Sequence, residues 1–591
     1  MKKTRILFAA VLILIVAAGT VFAGGGSQPS AAAGAPATAY NLPRNQTLYY
    51  NGLQWGTVNG NNPYMANSNN ALVISAQRQT VFETLFMWNM LDGQLYPQIA
   101  DSRTWNNNVV TVQISAQAKW ADGTTITAED VAYSFNLART YSVGGSQYWE
   151  FLDSVVATGP RTVVFTAKAE NFNRLQIERA LSEYWITQRS YWEAKLASGE
   201  LGRGEGDLAA FNAWDIQGSG PYVPYFADAT KVVLIRNDNY WGQHSSRRGK
   251  LPVPRYIAHN IYADNAAGDA ALGRGEVDVS QQFTAQIWTY FDRGVSTYIP
   301  TAPYYMPGYI PSIFFNVSKP GLDDSAVRRA IAMVIDYEQI GTVAMSGYTA
   351  AKVPHIMLPT ASEQALIDES ALQAHYPPVM DVAGANRILD QAGWVRGADG
   401  IRAKDGVRLS FRIECPAGWS DWNASLEIVA QSTRAIGIDI QTYFPTQTVW
   451  TTDRQTGNFD IIMDNTAAPG AASPWARAYN MLGSTFIPTT AGVPNTVGNW
   501  GRWHNAEVNT ILQQLTGETD PARLRTLWTR LNTIYLQEMP NIGLMYRPWQ
   551  FHQVNESVWT GFPKLGDGSN VPPNILMDGY GIVGLYNLRL K

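Results

Sequence analysis

A chain of 591 residues cannot close around a single hydrophobic core, and that limit constrains its fold more than any other feature. Two or three domains are expected. The composition can fill them, since 46 % of residues are apolar and only 16 % charged, a globular balance. Residue periodicity then says what kind of domain. Strand-like stretches at residues 47–50, 109–114, 163–166, 232–236, 313–316, 408–413 and 459–463 are interleaved with helical patterns. Thr127-Ala128-Glu129-Asp130 has capping-box spacing, and Val131, Ser134, Phe135 and Ala138 behind it share one helical face. Asp323-Asp324 precede a face made by Val327, Ile331 and Val334. Ile388, Leu389 and Ala392 form another stripe, which Gly393 ends. The last long helix is predicted over residues 521–538, with Leu524, Leu527, Leu531 and Ile534 inward and Pro540 just beyond. No internal repeat of solenoid period occurs. The reading is a mixed α/β chain.

The first residues read as an export signal. Lys2, Lys3 and Arg5 precede an apolar run at residues 6–18, and Val21-Phe22-Ala23 fits signal peptidase cleavage. No Cys follows that run, which closes the usual lipoprotein route. Residues 1–23 are therefore expected to be a cleavable signal peptide, and residues 24–39, rich in Gly, Ala, Ser and Pro, a flexible leader. No later stretch is apolar enough to span a bilayer. The expected location is periplasmic or otherwise extracytoplasmic.

Catalytic and metal chemistry find no support in the residue patterns. The lone Cys415 lies in a strand-like run and reads as a small buried residue. The six His, at 244, 259, 355, 375, 504 and 552, show no metal-ligand spacing. Gly218-Ser219-Gly220-Pro221 is a turn that Pro221 keeps from becoming a nucleophile elbow. Gly202-Arg203-Gly204-Glu205-Gly206 lacks the Lys-Ser/Thr of a phosphate loop. No enzyme activity, metal or cofactor is expected. A formal charge of −4 without a basic stripe argues against nucleic acid as a partner. The unusual count is 20 Trp beside 29 Tyr. Indole supplies a broad apolar face and one N–H donor, which suits flat-faced ligands.

A set of short motifs, in order along the chain, resembles one family. Val81-Phe82-Glu83-Thr84-Leu85 is followed by Asp92-Gly93 and Tyr96-Pro97-Gln98-Ile99-Ala100. Lys119-Trp120-Ala121-Asp122-Gly123 precedes Ile126-Thr127-Ala128-Glu129-Asp130-Val131. Gly218-Ser219-Gly220-Pro221-Tyr222, Arg236-Asn237-Asp238-Asn239-Tyr240-Trp241-Gly242 and Gly275-Glu276-Val277-Asp278-Val279 come next. Phe314-Phe315-Asn316, Asp323-Asp324, Arg328-Arg329-Ala330, Ile335-Asp336 and Leu389-Asp390-Gln391-Ala392-Gly393-Trp394 complete the set. Together they resemble the family 5 solute-binding proteins of ABC importers, which take dipeptides, oligopeptides, nickel complexes or oligosaccharides. The resemblance implies a two-lobed periplasmic-binding-protein fold of type II with an extra subdomain. It also implies a hinge that the chain crosses twice, near residues 306–316 and 541–547, with residues 313–316 and 541–547 marked as the crossings. On that basis residues 40–85, 211–305 and 548–591 are assigned to lobe I, 86–210 to its extra subdomain, and 306–547 to lobe II. The partners implied are a small ligand and the membrane permease, and the chain is expected to be monomeric.

Ligand class is read from the less patterned segments. Tyr49-Tyr50-Asn51-Gly52-Leu53-Gln54-Trp55-Gly56, residues 148–155, Gly418-Trp419-Ser420-Asp421-Trp422 and Ser473-Pro474-Trp475 resemble the oligosaccharide-binding branch, which includes cello-oligosaccharide binders. Sugar rings stack their C–H faces on indole and need Asn, Asp, Gln or Arg for their hydroxyls. Peptide binders of the family hold the ligand ammonium with an Asp that Asp464 matches, but the acidic residue they carry before a Pro is here Ala468, before Pro469. An oligosaccharide, of β-glucan type for example, is the first expectation and an oligopeptide the alternative. The expected stacking residues are Trp55, Trp419, Trp422, Trp450 and Trp475, and the expected polar contacts Asn61, Asp421, Asp464 and Asn465. Trp419, Asp421 and Trp422 are expected around a loop.

Overall fold

In the computed structural model, which describes residues 41–54, 58–65, 70–73, 78–349, 352–490 and 493–591, two unequal sheets organise the chain. The signal peptide and leader expected at residues 1–39, and Trp55, lie outside the described residues. The larger sheet has seven strands, in the order Val295–Thr297, Gln553–Asn555, Val279–Ser280, Thr47–Asn51, Tyr256–Asn260, Lys231–Arg236 and Tyr222–Ala227. Its central strand Thr47–Asn51 is buried almost throughout, and it runs parallel to both neighbours. That burial explains why the run Thr47-Leu48-Tyr49-Tyr50 lacks a polar face.

A four-stranded antiparallel sheet, Ala100–Asn106, Val109–Ile114, Thr162–Ala167 and Leu152–Gly159, packs into the same apolar core. The strand Val109–Ile114 buries alternate residues, as its alternation predicts. Ala128–Tyr141 covers this sheet and begins with the predicted capping box: Thr127 and Asp130 each accept from the other's backbone N–H.

The second sheet has five strands, in the order Asp439–Tyr443, Ser410–Glu414, Ile461–Asp464, Ser312–Phe315 and Asn541–Gly543. Helices Ser325–Val334, Val382–Gln391, Ser420–Thr433 and Pro521–Glu538 supply much of its core. Asp324 and Asp520 cap two of them through their side chains, Asp324 as the sequence pattern anticipates. Cys415 is fully buried, and burial pushes its thiol pKa up to about 12, so it is an inert packing residue.

The chain passes between the two sheets twice, at residues 298–311 and 544–552. The short strands Pro307–Tyr309 and Arg547–Pro548 pair antiparallel there, so the crossings brace one another. This corrects the expectation for residues 313–316. Ser312–Phe315 is already the penultimate strand of the five-stranded sheet, bonded on both sides, because its three apolar residues Ile313, Phe314 and Phe315 are worth more in a sheet interior than across a gap. A second correction concerns Trp419 to Trp422. Trp419 is the cap residue of the helix Ser420–Thr433, so the segment is a helix start and not a loop.

Candidate ligand-binding site

The strand directions fix where a ligand can sit. Thr47–Asn51, Tyr256–Asn260 and Val279–Ser280 are parallel, so their carboxyl ends share one edge. Gln553 pairs with both Ser280 and Thr297, which puts both crossings at that same edge. In the five-stranded sheet Ser410–Glu414, Asp439–Tyr443 and Ile461–Asp464 are likewise parallel. Asp464 pairs with Ser312, and Ser312 with Gly543, so the crossings meet this sheet at its carboxyl edge too. The two carboxyl edges therefore face one another across the crossings. Ligands of open α/β sheets bind outside the carboxyl ends of strands, and pockets favour such interfaces between halves.

The edge of the five-stranded sheet is aromatic. The Trp419 ring meets Trp422 edge-on at 4.8 Å and Trp450 at 5.6 Å. Trp450 sits on the helix Gln447–Thr456, capped by Thr446. One turn later Arg454 lies on the same face. Its guanidinium is 4.4 Å from the Trp450 ring centre and 4.5 Å from that of Trp500, and it donates to Asp464 at 2.6 Å. The helix ends at Gly457, at φ +78°, where a Cβ would lie 2.6 Å from the Arg502 guanidinium carbon, so glycine is required. Burial raises the Asp464 pKa, while Arg454 and the Asn465 N–H pull it back. Asp421 accepts from Arg547 at 2.9 Å, tying the start of Ser420–Thr433 to the crossing strand. Asp464 and Asp421 are thus each paired with a cation of the chain itself. Yet the indole N–H of Trp450, Nε of Arg454 and Oδ1 of Asn465 are buried without a partner.

The edge of the seven-stranded sheet is polar. Tyr50 and His259 are register partners at the strand ends. His259 Nε2 accepts from the N–H groups of Leu53 at 3.0 Å and Gln54 at 3.1 Å, so its proton sits on Nδ1. Burial lowers its pKa to about 3, which keeps the ring neutral. Gly52, at φ +83°, lets the chain turn over Gln281 and Gln282; a Cβ there would be 2.6 Å from the Gln282 nitrogen. Among the described residues, seven buried polar atoms at this edge have no hydrogen-bond partner: Tyr50 Oη, Asn51 Oδ1, Arg78 Nε and Nη1, His259 Nδ1 and both amide atoms of Gln281. Folded proteins rarely leave such groups unpaired, so water or a bound solute would complete their bonding at these two edges.

The structure brings Trp419, Asp421, Trp422, Trp450, Asp464 and Asn465 together. It does not bring Asn61 or Trp475 to them. Asn61 donates to Trp214 O and accepts from Asn70, pinning one loop to another. Trp475 is buried, stacks on Tyr479 at 4.8 Å and 12°, and donates to Leu512 O. Sequence reasoning missed Arg454, Arg547, Arg78, His259 and Gln281. Arg454 had a readable signal, its i+4 spacing from Trp450. Arg78 and His259 had none, because only the folded chain brings them beside Tyr50, His259 through strand pairing. A separate small recess lies at the crossing between Trp88, Met90, Pro307, Leu358 and Pro469. Its Glu363 is committed to Arg477 and the Leu358 N–H, so it offers no free polar group of that kind.

Comparison with known proteins agrees with this architecture. The model of the bacterial extracellular solute-binding proteins, family 5, middle region, matches residues 94–488. A probable peptide-binding protein YejA of Agrobacterium fabrum is 23 % identical over 485 residues, covering 74 % of this chain and 76 % of the relative. The oligopeptide-binding protein OppA of Mycobacterium tuberculosis H37Rv is 25 % identical over 473 residues, covering 78 % and 72 %. A periplasmic oligopeptide-binding protein of an oligopeptide ABC transporter from Thermotoga maritima superposes with a TM-score of 0.82 at 26 % identity, covering 93 % of this chain and 100 % of that one. Its mannohexaose-bound structure gives 0.77, covering 93 % and 99 %. The two facing strand-end edges, the paired crossings and the match over residues 94–488 coincide: this chain belongs to the bacterial extracellular solute-binding proteins of family 5, the substrate-binding components of ABC importers.

Proposed function

We propose that the captured solute is an oligosaccharide, delivered without turnover from the cleft to a membrane permease. The observation that carries this reading is the Arg454–Asp464 pair held between Trp450 and Trp500. A peptide ammonium needs a free carboxylate, and Asp464 already has its cation at 2.6 Å. The neutralised pair, with Trp419, Trp422 and Trp450 beside it, suits a neutral ring that stacks and hydrogen-bonds. The mannohexaose-bound Thermotoga structure supports the same class, although that protein is named for oligopeptides. Export by a signal peptide at residues 1–23, a monomeric state and the lobe limits given above belong to the same proposal. The test is thermal-shift screening against manno- and β-gluco-oligosaccharides and short peptides. A ligand at 100 times its Kd stabilises by about 2.7 kcal/mol. The best sugar should then lose roughly 2–4 kcal/mol of binding in Trp450→Ala, read by calorimetry. Shifts with peptides alone would replace oligosaccharide by oligopeptide.

A further inference from the structure

We propose that Arg78 is a subsite for a carboxylate carried by the ligand, so that the preferred solute is an acidic, uronate-bearing oligosaccharide. The proposal rests on the oligosaccharide reading for the ligand's class, but the subsite stands on its own geometry. Arg78 is buried, and neither Nε nor Nη1 has a hydrogen-bond partner. Among the described residues it forms no ion pair, whereas the opposite edge pairs Arg454 with Asp464 and Arg547 with Asp421. The segments outside the described residues, 1–40, 55–57, 66–69, 74–77, 350–351 and 491–492, contain no Asp or Glu that could pair with it. A buried, unpaired guanidinium costs several kcal/mol, and buried charges are normally paired.

Its surroundings are neutral and rich in donors. Besides burial, Tyr50 acts on its charge, and that charge in turn helps keep the ring of His259 neutral. Tyr50 Oη, His259 Nδ1–H and the Gln281 amide are all unpartnered at the same strand ends. One permanent cation with neutral donors beside it matches one carboxylate in charge. A phosphate, which carries nearly two charges at neutral pH, would be left undercompensated. Burial lowers the Arg78 pKa only to about 10, so the group remains charged at neutral pH.

The test is calorimetry on the full mature chain with two matched probe pairs. The sugar pair is β-1,4-linked mannohexaose and β-1,4-linked hexamannuronate, which differ only in oxidation at C6. The peptide pair is tetra-alanine with a free or an amidated carboxyl terminus. Wild type should bind the acidic member of at least one pair tenfold or more tightly. Arg78→Met should abolish that preference, Arg78→Lys should keep part of it, and Arg78→Met should melt no lower than wild type because it removes an unpaired buried charge. If only the peptides bind and the free acid is preferred through Arg78, the carboxylate subsite stands and the sugar class falls. If mannohexaose binds as tightly as hexamannuronate, the sugar class stands and the uronate falls. The subsite is overturned if wild type shows no acidic preference in either pair, or if the preference survives Arg78→Met.

Discussion

Glu83 shows how a single buried group ties this chain's stability to pH. Its carboxylate takes hydrogen bonds from Tyr240 at 2.5 Å, from the Trp241 indole at 3.0 Å and from Gln98. Burial nevertheless pushes its pKa from 4.5 up to about 7, against the pull of those donors. Between those values the folded chain holds a proton that the unfolded chain has released. The contribution of this group is therefore fully present below about pH 4.5 and is lost as pH rises through about 7, at no more than about 1.4 kcal/mol per unit. Melting of wild type should accordingly fall from pH 5 to pH 8, and Glu83→Gln should flatten that slope. Parallel profiles would assign the slope to other groups. Arg454 makes the opposite case, a cation whose loss strands a buried acid. Arg454→Met should cost roughly 3–5 kcal/mol by leaving Asp464 unpaired, and adding Asp464→Asn should recover much of it, both read from denaturant unfolding. At this scale the sequence discloses residue types but not their company. The tryptophans of the site could be listed from composition, and Cys415 could be dismissed. The union of Tyr50 and His259 depends on a parallel sheet whose strands are some two hundred residues apart.

Elements were legible wherever local chemistry and tertiary packing agree. The helix Pro521–Glu538 has its proline at the start, its cap at Asp520 and its apolar face in register, so the predicted limits match those observed. The capping box at Thr127 was equally readable. Thr127→Ala should destabilise by about 1 kcal/mol. That loss should register as faster amide exchange in the first turn of Ala128–Tyr141, since Asp130 also holds the Arg189 N–H across the subdomain. An unchanged first turn would mean that packing alone holds the helix start. Local signals failed where a segment serves two masters. Trp419-Ser420-Asp421-Trp422 reads as a polar turn, yet Trp422, Leu426 and Val429 are buried at helical spacing, and that burial decides the structure. The crossing strands Pro307–Tyr309 and Arg547–Pro548 are two to three residues long, too short to carry a period, and only their mutual pairing defines them.

For the molecule as a whole, the consequence of two facing edges is closure. Away from the crossings the halves already touch: the Arg174 N–H donates to Thr516 O at 3.0 Å, and the Thr516 hydroxyl to Phe172 O at 3.1 Å. Phe172 packs with the core of the seven-stranded half, while Leu515 belongs to that of the five-stranded half. If the halves hinge about the paired crossings, these contacts belong to the closed form. A ligand that contacts both edges favours this form by its difference in affinity for the two states. Scattering on the free chain should give a larger radius of gyration than scattering at saturating ligand. Thr516→Arg places a bulky charged group at the meeting point without altering either carboxyl edge. That variant should be more expanded when free and should bind more weakly in proportion to its lost closed fraction, while excess ligand restores the compact particle. A wild-type radius indifferent to ligand, or a Thr516→Arg variant with unchanged affinity, would instead describe a rigid, preformed cleft in which these contacts are static braces.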